Sequence, residues 1–303
     1  MERPKMNPHV VLLIGVFSVS TSAVLVKLSS ADAGIIAFYR LLFTVLLMLP
    51  LFLLKYVGEL KSVSKKDWGL SLISGAFLAF HFILWFESLN YTSVASSTVL
   101  VTLQPLFAFA GTYFIFKERF TIGALAGGGL AIAGSFIIGW GDFQVSGQAL
   151  YGDILALAAC ALITGYLLFG QMIRKRMSLV TYTFIVYFNC MIVLFFYVLI
   201  KQESFYPYPP KEWLYFLLLA VISNLLGHTL FNWSIKYIST SSVSMAILLE
   251  PIGASVLAWW LLKEKLMAAQ LIGGGVILAG LLLFASDPKK VKNLINKQKR
   301  QFQ

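Results

Sequence analysis

The sequence consists of long apolar runs separated by short polar breaks. Runs of about 20 residues, the length needed to cross roughly 30 Å of hydrocarbon as a helix, fill nearly the whole chain. We number ten such spans in chain order, and they lie at residues 9–28, 34–54, 68–88, 93–116, 121–140, 151–172, 179–200, 212–234, 239–262 and 267–286. The breaks leave room for short loops and a basic tail, and no room for a soluble domain. The pattern predicts an all-α membrane protein with ten transmembrane helices.

Composition agrees with this prediction, and the charge distribution indicates an orientation. The 303 residues are 59% hydrophobic and 12% charged, with a net charge of +11. With a cytoplasmic N-terminus, 18 Lys and Arg residues fall in inner segments and four in outer loops, a strong positive-inside bias. The basic charge therefore reports topology, with both termini cytoplasmic, and gives no reason to expect a nucleic-acid partner. We expect a multi-pass protein of the cell inner (plasma) membrane, in contact with lipid.

The second half of the chain repeats the first. Residues 85–121 recur at residues 231–267, offset by 146 positions without a gap. The matched motifs are Gln104-Pro105 with Glu250-Pro251, Lys117-Glu118-Arg119 with Lys263-Glu264-Lys265, and Gly127-Gly128-Gly129 with Gly273-Gly274-Gly275. An internal repeat defines the architectural unit more firmly than local pattern does.

Each unit contains five helices, which is an odd number, so the second unit is predicted to enter the membrane inverted. We divide the chain into a first five-helix repeat at 9–140, a second at 151–286 and a basic cytoplasmic tail at 287–303. Lys263 and Lys265 fit this inversion, because they lie outside, against the charge rule, while their counterparts lie inside. Inverted repeats are a common plan for secondary transporters, with the substrate site near the midplane.

The repeated motif resembles a known family. It runs from Trp85 through Leu103-Gln104-Pro105 and Lys117-Glu118-Arg119 to the glycine run, and it occurs twice. On these residues the chain is similar to the drug/metabolite transporter superfamily, in its EamA branch of ten-helix proteins. Ala37-Phe38-Tyr39-Arg40 also resembles the family's second helix, whereas Thr181-Tyr182-Thr183-Phe184 in the second repeat lacks the arginine. The resemblance implies transport of amino acids, nucleotide-like metabolites or drugs, usually without ATP.

Glu250 is the leading candidate for a functional residue. It lies near the middle of span 9 and precedes Pro251, which removes a backbone hydrogen bond and bends a helix. A carboxylate beside freed carbonyls can bind a proton or a cationic group, although a purely structural Glu-Pro device is the alternative. Pro105 is predicted to bend span 4 at the mirror-related position, and Gln104, the counterpart of Glu250, is placed in the same substrate or ion pathway.

Two further helices carry polar side chains at helical spacing. Span 8 has Asn224, His228 and Asn232 at i, i+4 and i+8, so a regular helix would present all three on one face. An imidazole titrates near neutral pH and suits a proton relay, whereas hydrogen bonding between helices is the alternative. His81, Trp85 and Ser88 form a similar face on span 3, and Trp85 can stack on a flat or cationic substrate. These faces predict a cavity bounded by spans 1–4 and 6–9.

The basic residues inside the apolar spans complete the set of candidates. Arg40 lies within span 2, and Glu87 near the outer end of span 3 is its expected partner, forming either a gate or a fixed brace. Lys27 ends span 1, where it can serve as a ligand or extend to the interface. The glycines of spans 5 and 10 are expected to let helices approach closely, because no P-loop lysine follows them. Spans 5 and 10 are therefore placed at the periphery.

These features favour a secondary transporter that exports a small metabolite, such as an amino acid, a related compound or a drug, by proton antiport. No nucleotide-binding or zinc-ligand motif is present, so no cofactor or metal is expected. The alternatives are an intramembrane enzyme, which would need more than the isolated Glu250 and His228, and a channel or lipid scramblase. The expected partners are the substrate, protons and lipid, and a homodimer is an open alternative.

Overall fold

A computed structural model describes Pro4 and residues 6–92, 94–139, 147–263 and 267–286. The predicted basic tail, 287–303, lies outside the described residues. In chain order the α-helices are α1 (Pro8–Leu28), α2 (Ala33–Lys55), α3 (Lys65–Tyr91), α4 (Val94–Thr102), α5 (Gln104–Phe116), α6 (Ile122–Gly139), α7 (Gly147–Ile173), α8 (Leu179–Lys201), α9 (Pro210–Leu218), α10 (Thr229–Ser234), α11 (Thr240–Ile247), α12 (Glu250–Leu257) and α13 (Ala268–Ala285). A 3₁₀-helix occupies Val57–Ser62, and π-helical segments occupy Leu219–His228 and Ala258–Leu262.

Within the described residues, nine helical stretches are long and apolar enough to cross a membrane, and Ile122–Ile138 is a shorter apolar helix. Together they correspond to the ten predicted spans, so the all-α membrane fold is confirmed. Spans 1 to 3, 5 to 7 and 10 are single helices, whereas spans 4, 8 and 9 each consist of more than one helical segment. We call the end of the bundle where α1 begins, at Pro8, the near side, and the end where α1 stops, at Leu28, the far side.

Short polar motifs mark where several helices begin. The Asn7 side chain accepts a hydrogen bond from the His9 N–H, and Pro8 occupies the first turn of α1, where a missing N–H costs nothing. The Ser64 hydroxyl caps α3 by accepting from the Asp67 N–H at 3.1 Å. The Ser178 hydroxyl caps α8 in the same way, from the Thr181 N–H at 3.2 Å. The helix starts near the loops are thus encoded locally.

Spans 4 and 9 are both interrupted immediately before a proline. α4 ends at Thr102 and α5 begins at Gln104, while α11 ends at Ile247 and α12 begins at Glu250. A proline lacks the N–H that would bond four residues back, and its ring clashes with the preceding turn. As a result, Gln104 and Glu250 each stand at the first residue of a new helix, at positions related by the 146-residue offset.

The packing of α6 against α13 shows how the repeats are related. These helices are equivalent by the 146-residue offset, yet they run antiparallel. A Cβ on Gly127 would lie 2.8 Å from the Gly280 carbonyl oxygen, and one on Gly134 would lie 2.7 Å from that of Gly273. Because Gly127 matches Gly273 and Gly134 matches Gly280, each contact is the image of the other. The two repeats are therefore inverted about a pseudo-two-fold axis.

The remaining helices form the main core. The stacked rings of Phe52 on α2 and Phe184 on α8, with centroids 3.9 Å apart, join the two repeats. The largest cluster of buried hydrophobic side chains draws mainly on spans 1, 2, 3, 6, 7 and 8, and no described residue of α6 or α13 belongs to its buried set. A smaller cluster, including Ala131 and Ile277, joins α6 and α13 to spans 4 and 9. Spans 5 and 10 accordingly lie beside the main core.

Candidate functional site

A closed cavity of about 20 Å³ lies in the middle of the bundle. Its lining residues are Val19, His81, Trp85, Val101, Gln104, Ile163, His228, Phe231, Ile247 and Glu250. They come from spans 1, 3, 4, 6, 8 and 9, and no described residue of α6 or α13 is among them. A space of this volume holds about one water molecule. As it stands, the cavity is too small to hold a molecule larger than water.

Several polar atoms around this cavity are buried without a hydrogen-bond partner among the described residues. They are Trp85 Nε1, Gln104 Oε1 and both ring nitrogens of His228. Each such atom costs about 1–3 kcal/mol when it leaves water unpaired. Among these atoms, the Trp85 N–H is a donor, the Gln104 side-chain oxygen is an acceptor, and the His228 imidazole can donate or accept a hydrogen bond. Their convergence on one cavity suits a small ligand that carries both donors and acceptors.

Glu250 lies on the cavity wall at the helix break of span 9. Its side chain is 4% exposed, and the Ser20 hydroxyl on α1 donates to its backbone oxygen at 3.4 Å. An ionised carboxylate in such a site costs far more free energy than a neutral carboxyl, unless water or a cation reaches it. Entry of water or of a cationic ligand into the cavity would therefore favour the ionised form of the Glu250 carboxyl over the neutral form.

His81 and Trp85 form an aromatic wall of the cavity. Their rings are nearly parallel, with centroids 5.7 Å apart. His81 Nδ1 donates to the backbone oxygen of Ala159 on α7 at 3.0 Å, which fixes the ring and leaves its other nitrogen on the opposite edge. Ser88 does not line the cavity, because its hydroxyl bonds to the Trp85 carbonyl and to the Ser97 hydroxyl, each at 2.6 Å.

The polar residues of span 8 do not share one regular helical face. Leu219–His228 is π-helical, with bonds five residues apart, so the predicted i, i+4, i+8 alignment does not apply there. Asn224 points to α2, where it accepts from Arg40 at 2.6 Å. Asn232 donates to the Tyr166 hydroxyl on α7 and to the His228 carbonyl. Of the three, His228 alone lines the cavity.

Arg40 is fully buried and braces α2 against its neighbours. Its Nε donates to Asn224, its Nη1 donates to the Ser22 hydroxyl at 2.8 Å, and its guanidinium lies 4.3 Å above the Phe82 ring. Nη2 has no hydrogen-bond partner among the described residues. The expected pair with Glu87 is wrong. Glu87 instead accepts from the Tyr197 hydroxyl at 3.1 Å, because it lies nearer the far end of α3.

Lys27 lies apart from the central cavity. It is exposed and lines a second pocket of about 180 Å³ on the far side, together with Ser29 and Asn90. Phe86 lines this pocket too, and the Arg40 guanidinium is 5.9 Å from the Phe86 ring. The far-side pocket and the central cavity share no lining residue.

On the near side, buried polar contacts close the bundle. Arg174 donates to the backbone oxygens of Asn232 and Met177, and the Gln171 side chain accepts from the Thr240 N–H at 2.6 Å. The Glu118 carboxylate accepts from the hydroxyls of Ser239 and Ser241. Sequence reasoning missed these contacts, since Arg174 was interpreted only as a topology signal, Glu118 only as part of the repeated motif, and Gln171 not at all. Apart from Met177, which is three residues from Arg174, their partners lie 58 to 123 positions away, and no local pattern links them.

The internal repeat agrees with a comparison with known families. The EamA-like transporter family matches the chain twice, at residues 7–140 and 150–286. The chain belongs to the EamA-like transporter family. This membership covers both repeats and confirms the resemblance to the drug/metabolite transporter superfamily.

Individual relatives are distant and span nearly the full length. An uncharacterized transporter of Archaeoglobus fulgidus is 22% identical over 277 residues, which cover 90% of this chain and 94% of that protein. The uncharacterized transporter YetK of Bacillus subtilis is 24% identical over 298 residues, covering 95% and 89%. A crystal structure with 17% identity superposes with a TM-score of 0.74 over 91% of this chain and 95% of that one. The last comparison shows the shared fold.

A general function follows from the family match, from the apolar helices of the chain and from relatives that are named as transporters. The protein is a multi-pass membrane transporter, and it is expected to handle small molecules in a lipid environment. Among the described residues, no group of three His, Cys, Asp or Glu side chains could hold a metal ion.

Proposed function

We propose that this EamA-like protein is a secondary active transporter that exports a small polar metabolite in exchange for protons. The observation that supports it most is the convergence of unpartnered polar atoms of Trp85, Gln104 and His228 on the central cavity. In this scheme Glu250 carries the coupling proton and His228 relays it. The aromatic wall of His81 and Trp85 holds the flat or apolar part of the substrate.

Alternating access follows from the inverted repeats. Two like halves related by a pseudo-two-fold axis can exchange conformations, which opens the shared site to one side and then to the other. Pro105 and Pro251, beside the helix breaks of spans 4 and 9, are the proposed bending points. Arg40, Asn224 and Asn232 serve as braces that keep α2, span 8 and α7 in register around the site.

The alternatives have less support. An intramembrane enzyme would need a nucleophile with a base, or two paired carboxylates, and the cavity lining offers one carboxyl, Glu250, and two separate histidines. A channel would need a continuous opening, whereas the described residues enclose a cavity of about 20 Å³. A carrier is thus the function that we propose for this geometry.

A transport assay tests this proposal. A thermal-shift screen against amino acids, nucleobases and cationic dyes first identifies a ligand, since a bound ligand stabilises the protein by mass action. Liposomes preloaded with that ligand should then show counterflow, because a carrier exchanges substrate across the membrane. We expect Trp85→Phe to weaken apparent affinity about fivefold, the value of roughly 1 kcal/mol for one lost hydrogen bond.

Trp259→Phe is the matched control for this variant, because Trp259 is half exposed on the outside of the bundle. It should leave counterflow unchanged. Uptake that shows no stimulation by preloaded ligand would indicate a channel instead. If the two tryptophan variants weaken apparent affinity equally, the central cavity is not the substrate site.

A second test addresses topology. We expect both termini on the cytoplasmic side and Lys263, in the turn after the π-helical segment of span 9, on the outside. A membrane-impermeant thiol reagent applied to intact cells should label a cysteine at position 263 and not one introduced into the tail at Gln303. Labelling of both positions from the same side would contradict the arrangement.

A further inference from the structure

Two carboxylates join the repeats reciprocally, at the beginnings of α2 and α8. These helices are equivalent, since both ends of α8 follow those of α2 by 146 residues. Glu59 lies in the segment after α2 and contacts the start of α8 on the near side. Glu203 lies in the segment after α8 and contacts the start of α2 on the far side. The two glutamates are 144 positions apart (203 − 59), two short of the repeat offset, so the near-side and far-side contacts correspond through the equivalent helix starts and not residue by residue.

The near-side contact is rich in hydrogen bonds. The Glu59 carboxylate accepts from the Ser178 N–H at 2.7 Å and from the hydroxyls of Ser178 and Thr181. Burial tends to raise the pKa of Glu59, but these bonds and the positive charge of Arg174 outweigh it, so the pKa lies below its ordinary value. Glu59 therefore stays ionised across the neutral range.

The far-side contact is poorly satisfied. The Glu203 carboxylate accepts from the Ile35 N–H, while its Oε2 is buried without a hydrogen-bond partner among the described residues. It approaches α2 so closely that a Cβ on Gly34 would lie 2.4 Å from Oε2. The titratable and charged groups around it are Asp32 at the start of α2, Glu87 on α3, Tyr197 and Lys201 on α8, and Tyr208 in the following loop.

We propose that Glu203 is a proton sensor that closes the far side of the transporter when it binds a proton, whereas its counterpart Glu59 ties the near side without responding to pH. The inference rests on the proposed function, because it assumes that the two sides open in turn. The two contacts differ in their hydrogen bonds. Both oxygens of the Glu59 carboxylate accept hydrogen bonds. Oε2 of Glu203 has no partner among the described residues, and the negative charges of Asp32 and Glu87 act on this carboxyl.

The sign of the effect follows from the surroundings of Glu203. Burial, and then the negative charges of Asp32 and Glu87, raise its pKa to about 7, while the Ile35 N–H and Lys201 act in the opposite direction. A carboxyl with a raised pKa in the closed contact takes up a proton on closing, so closure is favoured below pH 7 and lost as pH rises through 7. With one proton linked, the closed-to-open ratio changes by at most about tenfold per pH unit.

Distance measurements between spin labels can test this inference without any substrate. Labels replace the exposed residues Tyr91 and Lys211 for the far side, and Gly58 and Lys175 for the near side, after the buried Cys160 and Cys190 are changed to alanine. In nanodiscs, the short far-side distance should gain population as pH falls from 8.5 to 5.5, with a midpoint at or below about 7. The near-side pair should move in the opposite sense.

Variants separate the sensor from its surroundings. Glu203→Gln should hold the far-side distances at their low-pH distribution at every pH, and the matched Glu59→Gln variant should keep the pH response. Asp32→Asn should move the midpoint to lower pH, which tests the sensor even where Glu203→Gln fails to fold. Far-side distances that ignore pH, or a response that survives unchanged in both Glu203→Gln and Asp32→Asn, would overturn the sensor. A far-side response with a fixed near side would support the sensor and contradict alternating access.

Discussion

Glu250→Gln is expected to abolish transport driven by a pH gradient while substrate binding and counterflow persist. The carboxyl lies on the wall of an occluded cavity, where the ionised form is costly. When the site opens to water the same carboxyl can ionise, so it releases and regains a proton as access alternates. A glutamine has a similar shape and hydrogen-bonding capacity but carries no titratable proton. Uptake into liposomes with an imposed pH gradient measures the loss.

Glu118→Gln is the matched control, because Glu118 is another acid of the transporter but lies on the near side, away from the central cavity, where its carboxylate accepts hydrogen bonds from Ser239 and Ser241. It should leave pH-driven uptake intact. If Glu250→Gln still accumulates substrate against its gradient when pH is the only driving force, Glu250 has a structural role and the coupling site lies elsewhere.

The second large effect is expected in the glycine contact between α6 and α13. A Cβ on Gly273 would lie 2.5 Å from the Gly134 carbonyl oxygen and 2.9 Å from the Ile138 N atom, so the two helices must separate to admit it. Gly273→Ala should therefore destabilise the protein by about 1–3 kcal/mol, the usual cost of overpacking. Gly275→Ala, two residues away, meets nothing within 4 Å and should stabilise the helix by up to about 1 kcal/mol.

The pseudo-two-fold axis relates this glycine contact to an equivalent one on the same two helices, so the experiment can be repeated there. Gly127→Ala would place a Cβ 2.6 Å from the Phe284 N atom, while Gly129→Ala meets nothing within 4 Å. Thermal unfolding in detergent should therefore lower the midpoint for Gly127→Ala and Gly273→Ala and leave it equal or higher for their two neighbours. Equal midpoints for all four variants would mean that α6 and α13 do not pack through these glycines.

Much of the architecture was predictable because it is written in local or periodic features of the chain. Apolar runs of about 20 residues predict membrane helices wherever they occur. The gap-free offset of 146 residues predicts two like units, and an odd number of helices in each predicts their inversion. The central placement of Glu250, Gln104, His81, Trp85 and His228 also followed, since polar side chains in membrane helices face a cavity or a partner helix.

Other features could not be predicted from the chain, because they depend on how each helix is rotated and wound in the bundle. Arg40 was expected to pair with Glu87, yet it bonds to Ser22 and Asn224, the latter 184 positions away. The three polar residues of span 8 were expected on one face, but a π-helical segment redistributes them. Single-helix periodicity carries no information on such winding or on the choice between distant partners.

Hydrophobicity and repetition act along the chain, so they were enough to predict the membrane class, the ten helices, the inverted repeats and the residue types near the midplane. Which buried polar atoms have a hydrogen-bond partner, and which have none, depends on the packing of the helices. That difference separates the braced Arg40 from the unpartnered ring of His228, and the hydrogen-bonded Glu59 from the orphaned oxygen of Glu203. Hydrogen bonds in a bundle form between groups far apart in sequence, so only the folded arrangement determines whether a buried group has a partner.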